Sequence, residues 1–345
     1  MPVARGSPRG GFQAAWARMA WRARPGLPAR LLAPLALLYA ALAALHRAWW
    51  RHVRRPQRAP VPVVVVGNLV VGGVGKTPIV IALVQALAAA GRRPGVVSRG
   101  HGRREHGLRA VTRDAGAAEV GDEPLVVQRR TGVPVWVAAR RIDAACALCA
   151  AHPEVDVLVC DDGLQHHALA RDAELLVFDE RGVGNGLLLP AGPLREPLPA
   201  APGPQTVVVY ASGVASTPLP GALAARHIAG VQALDAWWRS ASATPPLEPL
   251  AHLRGRPLLA LAGIGDPGRF FAALEAAGLD IERCPQPDHT EYATPPWPAG
   301  TREVVTTEKD AVKLHPARCG EVRVWVARLD SVLPVDVVQR VLERI

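Results

Sequence analysis

The stretch VVVVGNLVVGGVGKTP (63–78) holds residue types that suit phosphate binding. An apolar run ends in a glycine-rich turn that closes on Lys76 and Thr77. Gly72, Gly73 and Gly75 allow a tight turn whose backbone N–H groups face phosphate oxygens, and the positive end of a following helix adds to the attraction. Lys76 would reach the outer phosphates, and the Thr77 hydroxyl would ligate Mg²⁺. The spacing departs from G-x-x-x-x-G-K-[ST], because position 70 is Val and the first glycine is Gly67. Only Lys76, Lys309 and Lys313 are lysines among 40 basic residues, so a lysine at this position is informative.

A second candidate is EVDVLVCDDGLQHH (154–167), an apolar run ending in Asp161 and Asp162. Paired carboxylates at a strand end beside a phosphate loop suit Mg²⁺ or its water ligands. Three other patches read two ways. SRGHGRR (98–104) is a basic substrate or phosphate loop, or a turn. VGDEP (120–124) puts Asp122 and Glu123 at a helix start, where acids also serve as caps. QPDHTEY (286–292) offers Asp288 and His289 in a proline-flanked loop. His166 and His167 suit packing or loop hydrogen bonds as well as chemistry.

These residues need strands and helices to hold them. From residue 61 onward, strand-length apolar runs at 61–67, 94–98, 133–138, 155–160 and 174–179 alternate with helical stretches at 77–91 and 140–152. That alternation predicts βαβ units and mostly parallel sheets, whose ligands gather at the C-terminal strand ends. Residues 180–205 are a Gly/Pro-rich loop, followed by apolar runs at 206–210, 256–264, 302–307 and 322–327 and a closing helix. The expectation is an α/β protein with two α/β/α domains: a P-loop NTPase-like domain over 61–200 and a smaller domain over 201–345.

Residues 1–60 differ in character. Seventeen Lys and Arg precede the first acid, Glu105, within a chain of net charge +10, so the remainder is net acidic. The run LLAPLALLYAALAAL (31–45) is short for a membrane span and carries Pro34. Arg5, Arg9, Arg18, Arg22, Arg24 and Arg30 precede it; Trp49, Trp50, Arg51, Arg54, Arg55 and Arg58 follow. A helix lying in the interface of an anionic membrane needs this pattern. A signal peptide, a transit peptide and a buried helix are the competing readings. The five cysteines form no disulfide framework, and Cys146 and Cys149 lie in a helical pattern.

Taken in order, GNLVVGGVGKTP, SRGHGR, GDEP, DDGLQH, PAGPLREP, AGIGDP, PDHTEY and TTEKDAVKL resemble the tetraacyldisaccharide 4′-kinase family of Gram-negative bacteria. The resemblance implies an ATP- and Mg²⁺-dependent, inner-membrane-associated kinase that phosphorylates the 4′-hydroxyl of a lipid A disaccharide 1-phosphate. It implies that Asp122 is the base, that His289 partners it from the second domain, and that Lys76 serves the transfer. It further implies that Asp161 and Asp162 serve Mg²⁺ and nucleotide, and that Arg99, Gln165, Arg195 and Glu196 line the site. The implied partners are the lipid substrate and an anionic membrane surface at the cytoplasmic face, with no nucleic acid, and the protein is expected to be a monomer. His101, Leu164 and Thr290 depart from the family pattern, which has Tyr, an aromatic or Met, and His. The alternative is a membrane-associated partition-type ATPase, but that class carries a lysine where this chain has Val71. TEKD (307–310) departs from the N-K-x-D pattern of GTPases.

Overall fold

The structure, a computed structural model, describes residues 15–240 and 246–345; Arg5 and Arg9 of the basic segment lie outside the described residues. The fold is α/β, built on two mostly parallel sheets.

The larger sheet has the order β3-β4-β2-β5-β1-β6-β7-β8. Its strands are β1 (Val63–Gly67), β2 (Pro94–Ser98), β3 (Arg109–Ala110), β4 (Val135–Val137), β5 (Val157–Asp161), β6 (Ala173–Phe178), β7 (Thr206–Tyr210) and β8 (Ala222–Leu223). Only β3 runs antiparallel to its neighbour. Every residue of β1, β2 and β5 is buried. Helices cover both faces of such a sheet, which is why its strands read as continuous apolar runs.

The smaller sheet has the order β11-β10-β12-β13-β9, formed by β9 (Ala225–Ala233), β10 (Leu258–Ala262), β11 (Ile281–Pro285), β12 (Glu303–Thr307) and β13 (Arg323–Val332). Strand β9 is antiparallel to β13, and the other pairs are parallel. Sequence patterning missed β9 and β11. Strand β9 carries polar His and Gln among small residues, and every residue of β11 keeps some exposure at the sheet edge.

The expected division at residue 200 does not coincide with the change of sheet. Strand β7 pairs in parallel with β6, and membership changes between Leu223 and Ala225. A long Gly/Pro-rich loop resembles a linker in sequence, but here it connects neighbouring strands of one sheet. The closing helix, Val335–Leu342, also returns to pack against β7 and the Lys76–Ala89 helix.

That Lys76–Ala89 helix contacts β1, β2 and β5 on one side and β13 on the other. Ile79, Val80, Ile81, Leu83, Val84 and Leu87 are all buried, so it is apolar nearly all round, as a helix between two layers must be. It therefore seats the smaller sheet against the larger one. Pro78 stands in its first turn, where its missing N–H is harmless.

A helix over Ala33–His52 precedes the sheets. Pro34 opens this helix rather than interrupting the apolar run, and the helix ends before Arg54 and Arg58. Its outer face exposes Leu35, Leu38, Leu42, Leu45 and Trp49, spaced by three and four residues. The opposite face, with Ala36, Tyr39, Ala43, Arg47 and Trp50, is buried or half-buried. The buried-helix reading is thus excluded. No helix among the described residues is long and apolar enough to cross a membrane.

Candidate functional site

The parallel strands β1 and β5 lie side by side, with Val66 paired to Asp161. The glycine-rich turn therefore leaves β1 beside the two aspartates that end β5. Gly72 and Gly75 have φ of 90° and 78°, a left-handed backbone that glycine adopts without strain. The space beside the α-carbons of Gly72 and Gly73 is open. This gives the turn a clear concave side.

Lys76 Nζ lies 3.2 Å from Asp162 Oδ1 and 3.0 Å from Asn68 Oδ1. Lys76 and Arg195, whose Nη1 lies 3.7 Å from the same carboxylate oxygen, outweigh burial and lower the pKa of Asp162. Gln165 donates to the Asn68 carbonyl at 3.1 Å and accepts from Arg195 at 3.3 Å. Lys76, Asp162, Gln165 and Arg195 thus form one connected cluster. Thr77 is buried in the first turn of the helix that Lys76 opens.

Asp161 stands apart electrostatically. Its carboxylate is fully buried, and neither oxygen has a hydrogen-bond partner among the described residues. Burial pushes its pKa up, and the nearby Glu123 and Asp162 carboxylates push it further. A buried carboxylate without a partner is costly, and a cation removes the cost. Such a carboxylate is a hard oxygen donor of the kind Mg²⁺ prefers, so Asp161 at the end of β5 fits this ion.

A second cluster forms where the two sheets meet. The helix Asp122–Thr131 begins at Asp122, after Gly121 at φ 93°. Asp122 is buried; its Oδ1 accepts from the Glu123 backbone N–H at 2.9 Å. Its Oδ2 lies 3.0 Å from Nδ1 of His289, which the loop after β11 supplies. His289 has φ 58°, a strained backbone for a non-glycine residue. The Asp122 hydrogen bond raises the His289 pKa against the effect of burial. Burial alone would raise the Asp122 pKa, but His289 and Lys309 hold it down at about 2.

Lys309 completes this cluster, and the motif reading gave it no role. Its Nζ lies 3.0 Å from Glu123, 3.7 Å from Asp288 and 3.9 Å from Asp122. Burial disfavours its charge, but these three carboxylates prevail and raise its pKa. The scarcity of lysine was the available signal: three lysines in the chain, and two of them carry ion pairs in these clusters. Lys313 pairs with the buried Asp310 at 3.0 Å, and Asp310 also accepts from the Gly263 N–H and Tyr292 hydroxyl. This anchors the loop from which His289 projects.

The remaining candidates divide. Glu196 is held 3.4 Å from Arg47, and Tyr39 donates to the Arg195 carbonyl at 2.9 Å. The Ala33–His52 helix is thereby fastened to the loop carrying Arg195 and Glu196. A cavity of about 560 Å³ opens there, lined among others by Arg47, Trp50, His167, Arg171 and Glu196. Arg99 is exposed beyond the end of β2 and forms no ion pair among the described residues. The rings of His101 and His289 lie 5.1 Å apart. His166 accepts from the Arg141 N–H at 3.4 Å; burial and the Arg141 and Arg171 charges lower its pKa to about 4, which suits a structural role. Thr290 donates to the Pro287 carbonyl and shapes the loop.

Residues 28–345 match the family described as tetraacyldisaccharide-1-P 4′-kinase. The chain is 54% identical over 316 residues to the tetraacyldisaccharide 4′-kinase of Leptothrix cholodnii, covering 90% of each protein. It is 52% identical over 313 residues to that of Methylibium petroleiphilum, covering 89% of this chain and 87% of the relative. Its fold is similar to a crystal structure of LpxK from Aquifex aeolicus in complex with ATP, at a TM-score of 0.73 and 26% identity, over 92% of this chain and 99% of that one.

Proposed function

Because the chain belongs to the tetraacyldisaccharide-1-P 4′-kinase family, we infer that it transfers the γ-phosphoryl group of ATP to the 4′-hydroxyl of a lipid A disaccharide 1-phosphate. The product is lipid IVA, in lipid A biosynthesis. The observation that carries the reading is the 3.0 Å contact between Asp122 and His289, made where the two sheets meet.

In this reading the turn at Gly72, Gly73 and Gly75 cradles the phosphates through backbone N–H groups, and Lys76 faces the outer ones. Thr77, Asp161 and Asp162 would hold Mg²⁺, which when bound neutralises charge on the phosphate oxygens. The unpaired, buried carboxylate of Asp161 supports that assignment. Phosphoryl transfer depends chiefly on positioning and electrostatics. Asp122 is ionised at neutral pH, so it accepts a hydrogen bond from the sugar hydroxyl and fixes its direction of attack. It takes the proton late, as the new bond to phosphorus forms and the hydroxyl oxygen becomes acidic. His289 and Lys309 hold the Asp122 carboxylate in place and stabilise its charge. Arg99, Gln165, Arg195 and Glu196 would line the acceptor side.

The Ala33–His52 helix would lie in the surface of the inner membrane at its cytoplasmic face, its exposed Leu35, Leu38, Leu42, Leu45 and Trp49 in the acyl boundary. A monomer suffices, because one chain supplies both Asp122 and His289.

The test is incubation in detergent with Mg²⁺, γ-labelled ATP and a lipid A disaccharide 1-phosphate, beside Lys76→Ala and Asp122→Ala. Label on the lipid, lost in both variants, supports the reading. Folded, ATP-binding protein that leaves the lipid unlabelled overturns it.

A further inference from the structure

The phosphate loop is also touched by the smaller sheet. Gly265, in the loop after β10, packs against Gly73: a Cβ placed at Gly265 would lie 3.4 Å from the Gly73 backbone nitrogen. Arg181, after β6, donates to the Gly73 carbonyl at 2.6 Å. Around this contact lies a group of three acids and three arginines. Asp179 is fully buried and accepts from Arg181 at 2.6 Å and from Arg269 at 3.0 Å. Arg269 also pairs with Glu180 at 2.5 Å and with Asp266 at 3.0 Å.

Arg226 is the third arginine, and its situation differs. It is the second residue of β9, just after the sheet membership changes. Its Nη1 would be 2.9 Å from a Cβ at Gly75, so the guanidinium rests on the glycine that precedes Lys76. It has no ion pair within 4 Å and no side-chain hydrogen bond among the described residues, while Arg181 and Arg269 pair with the carboxylates. It is half-buried; burial and the Arg269 charge lower its pKa, against the attraction of Glu180, Asp179 and Asp266. Its donors are not spent on protein acceptors, and a polyanion lying on the loop can take them in their fixed fork.

We propose that Arg226 binds the phosphate chain of ATP as it lies on the loop, so that the smaller sheet contributes a direct nucleotide contact as well as His289. Resting on the kinase reading above, this makes nucleotide binding depend on how the two sheets are seated.

Steady-state kinetics on the full chain tests it, with ATP varied at saturating lipid and lipid varied at saturating ATP. Inorganic tripolyphosphate, which has neither base nor ribose, serves as competitor. Arg226→Ala and Arg226→Gln are expected to raise both the KM for ATP and the inhibition constant of tripolyphosphate about ten- to a hundredfold, with Arg226→Lys recovering part. The KM for lipid at saturating ATP is expected to stay within about twofold. An unchanged KM for ATP overturns the proposal. So does a raised KM for ATP with an unchanged constant for tripolyphosphate, or an equal rise for ATP and lipid. If Arg226→Ala does not fold, the Gln and Lys variants decide. Wild-type protein that fails to phosphorylate lipid at all marks failure of the kinase reading, whereas active wild type with indifferent variants marks failure of this inference alone.

Discussion

Lys309 Nζ stands 3.9 Å from the Asp122 carboxylate, so a lysine from the segment after β12 lies beside the residue that His289 already contacts. Both partners come from segments distant in sequence from Asp122. The carboxylate keeps its charge, though nearly buried, because the two sheets are joined there.

Replacing Lys309 by Met removes the cation from three carboxylates and leaves Glu123, Asp122 and Asp288 repelling one another. Breaking a buried pair of this kind costs about 3–5 kcal/mol, and urea denaturation measures it. The acid limb of the pH–rate profile is expected to move to higher pH, since Asp122 loses one of the charges that lower its pKa. Lys309→Arg is expected to preserve the limb better than Met.

The Asp122–His289 contact has a pH signature. The folded pKa of His289 is raised, so its contribution to stability is complete below its unfolded value of about 6.5 and disappears as pH rises through the folded value. Asp122 is depressed to about 2, so its contribution is present above about 3.9 and is lost only in strong acid. The Tm difference between wild type and His289→Ala is therefore expected to be largest between about pH 4 and 6.5 and to shrink in alkali. A difference that grows with rising pH would contradict this account. Asp122→Asn is expected to lower kcat by about 10²–10⁴, with little change in KM for ATP.

Asp161 reverses the usual relation between charge and stability. Its folded pKa is raised, so its ionisation costs stability progressively as pH rises through that value. Asp161→Asn is expected to gain about 1 kcal/mol or more in the metal-free protein at pH 8. The same variant is expected to lose stabilisation by added Mg²⁺, read by thermal melts, and to lose activity.

The exposed stripe on the Ala33–His52 helix makes a prediction about surfaces. Leu35→Asp, Leu38→Asp and Leu42→Asp together are expected to abolish sedimentation with anionic vesicles. The Tm is expected to change by little, since these side chains already face solvent. Loss of cosedimentation accompanied by unfolding would contradict the placement.

The central strands were legible because their burial on both sides writes continuous apolar runs, VVVV at 63–66 and VLVC at 157–160. The Lys76 and Asp161–Asp162 positions were legible because each motif is local and flanked by its own strand. Lys309 was not, because its partners lie in other segments, and TEKD alone reads as a weak nucleotide motif. Arg226 was hidden for a related reason: the sequence contains 37 arginines, and only topology distinguishes the one that rests on Gly75. The boundary near residue 200 misled because glycine and proline mark a connection without stating which strands it joins.

The Ala33–His52 helix is hooked by Tyr39 and Arg47 to the very loop that holds Arg195 and Glu196. Were that helix to lie in the bilayer surface, as proposed, the reaction centre would ride at a fixed height above the lipid. Acceptors would then arrive by lateral diffusion and need no extraction from the leaflet. Turnover would become a property of two dimensions, governed by the mole fraction of acceptor among its neighbours and diluted by inert lipid even when the bulk amount is unchanged.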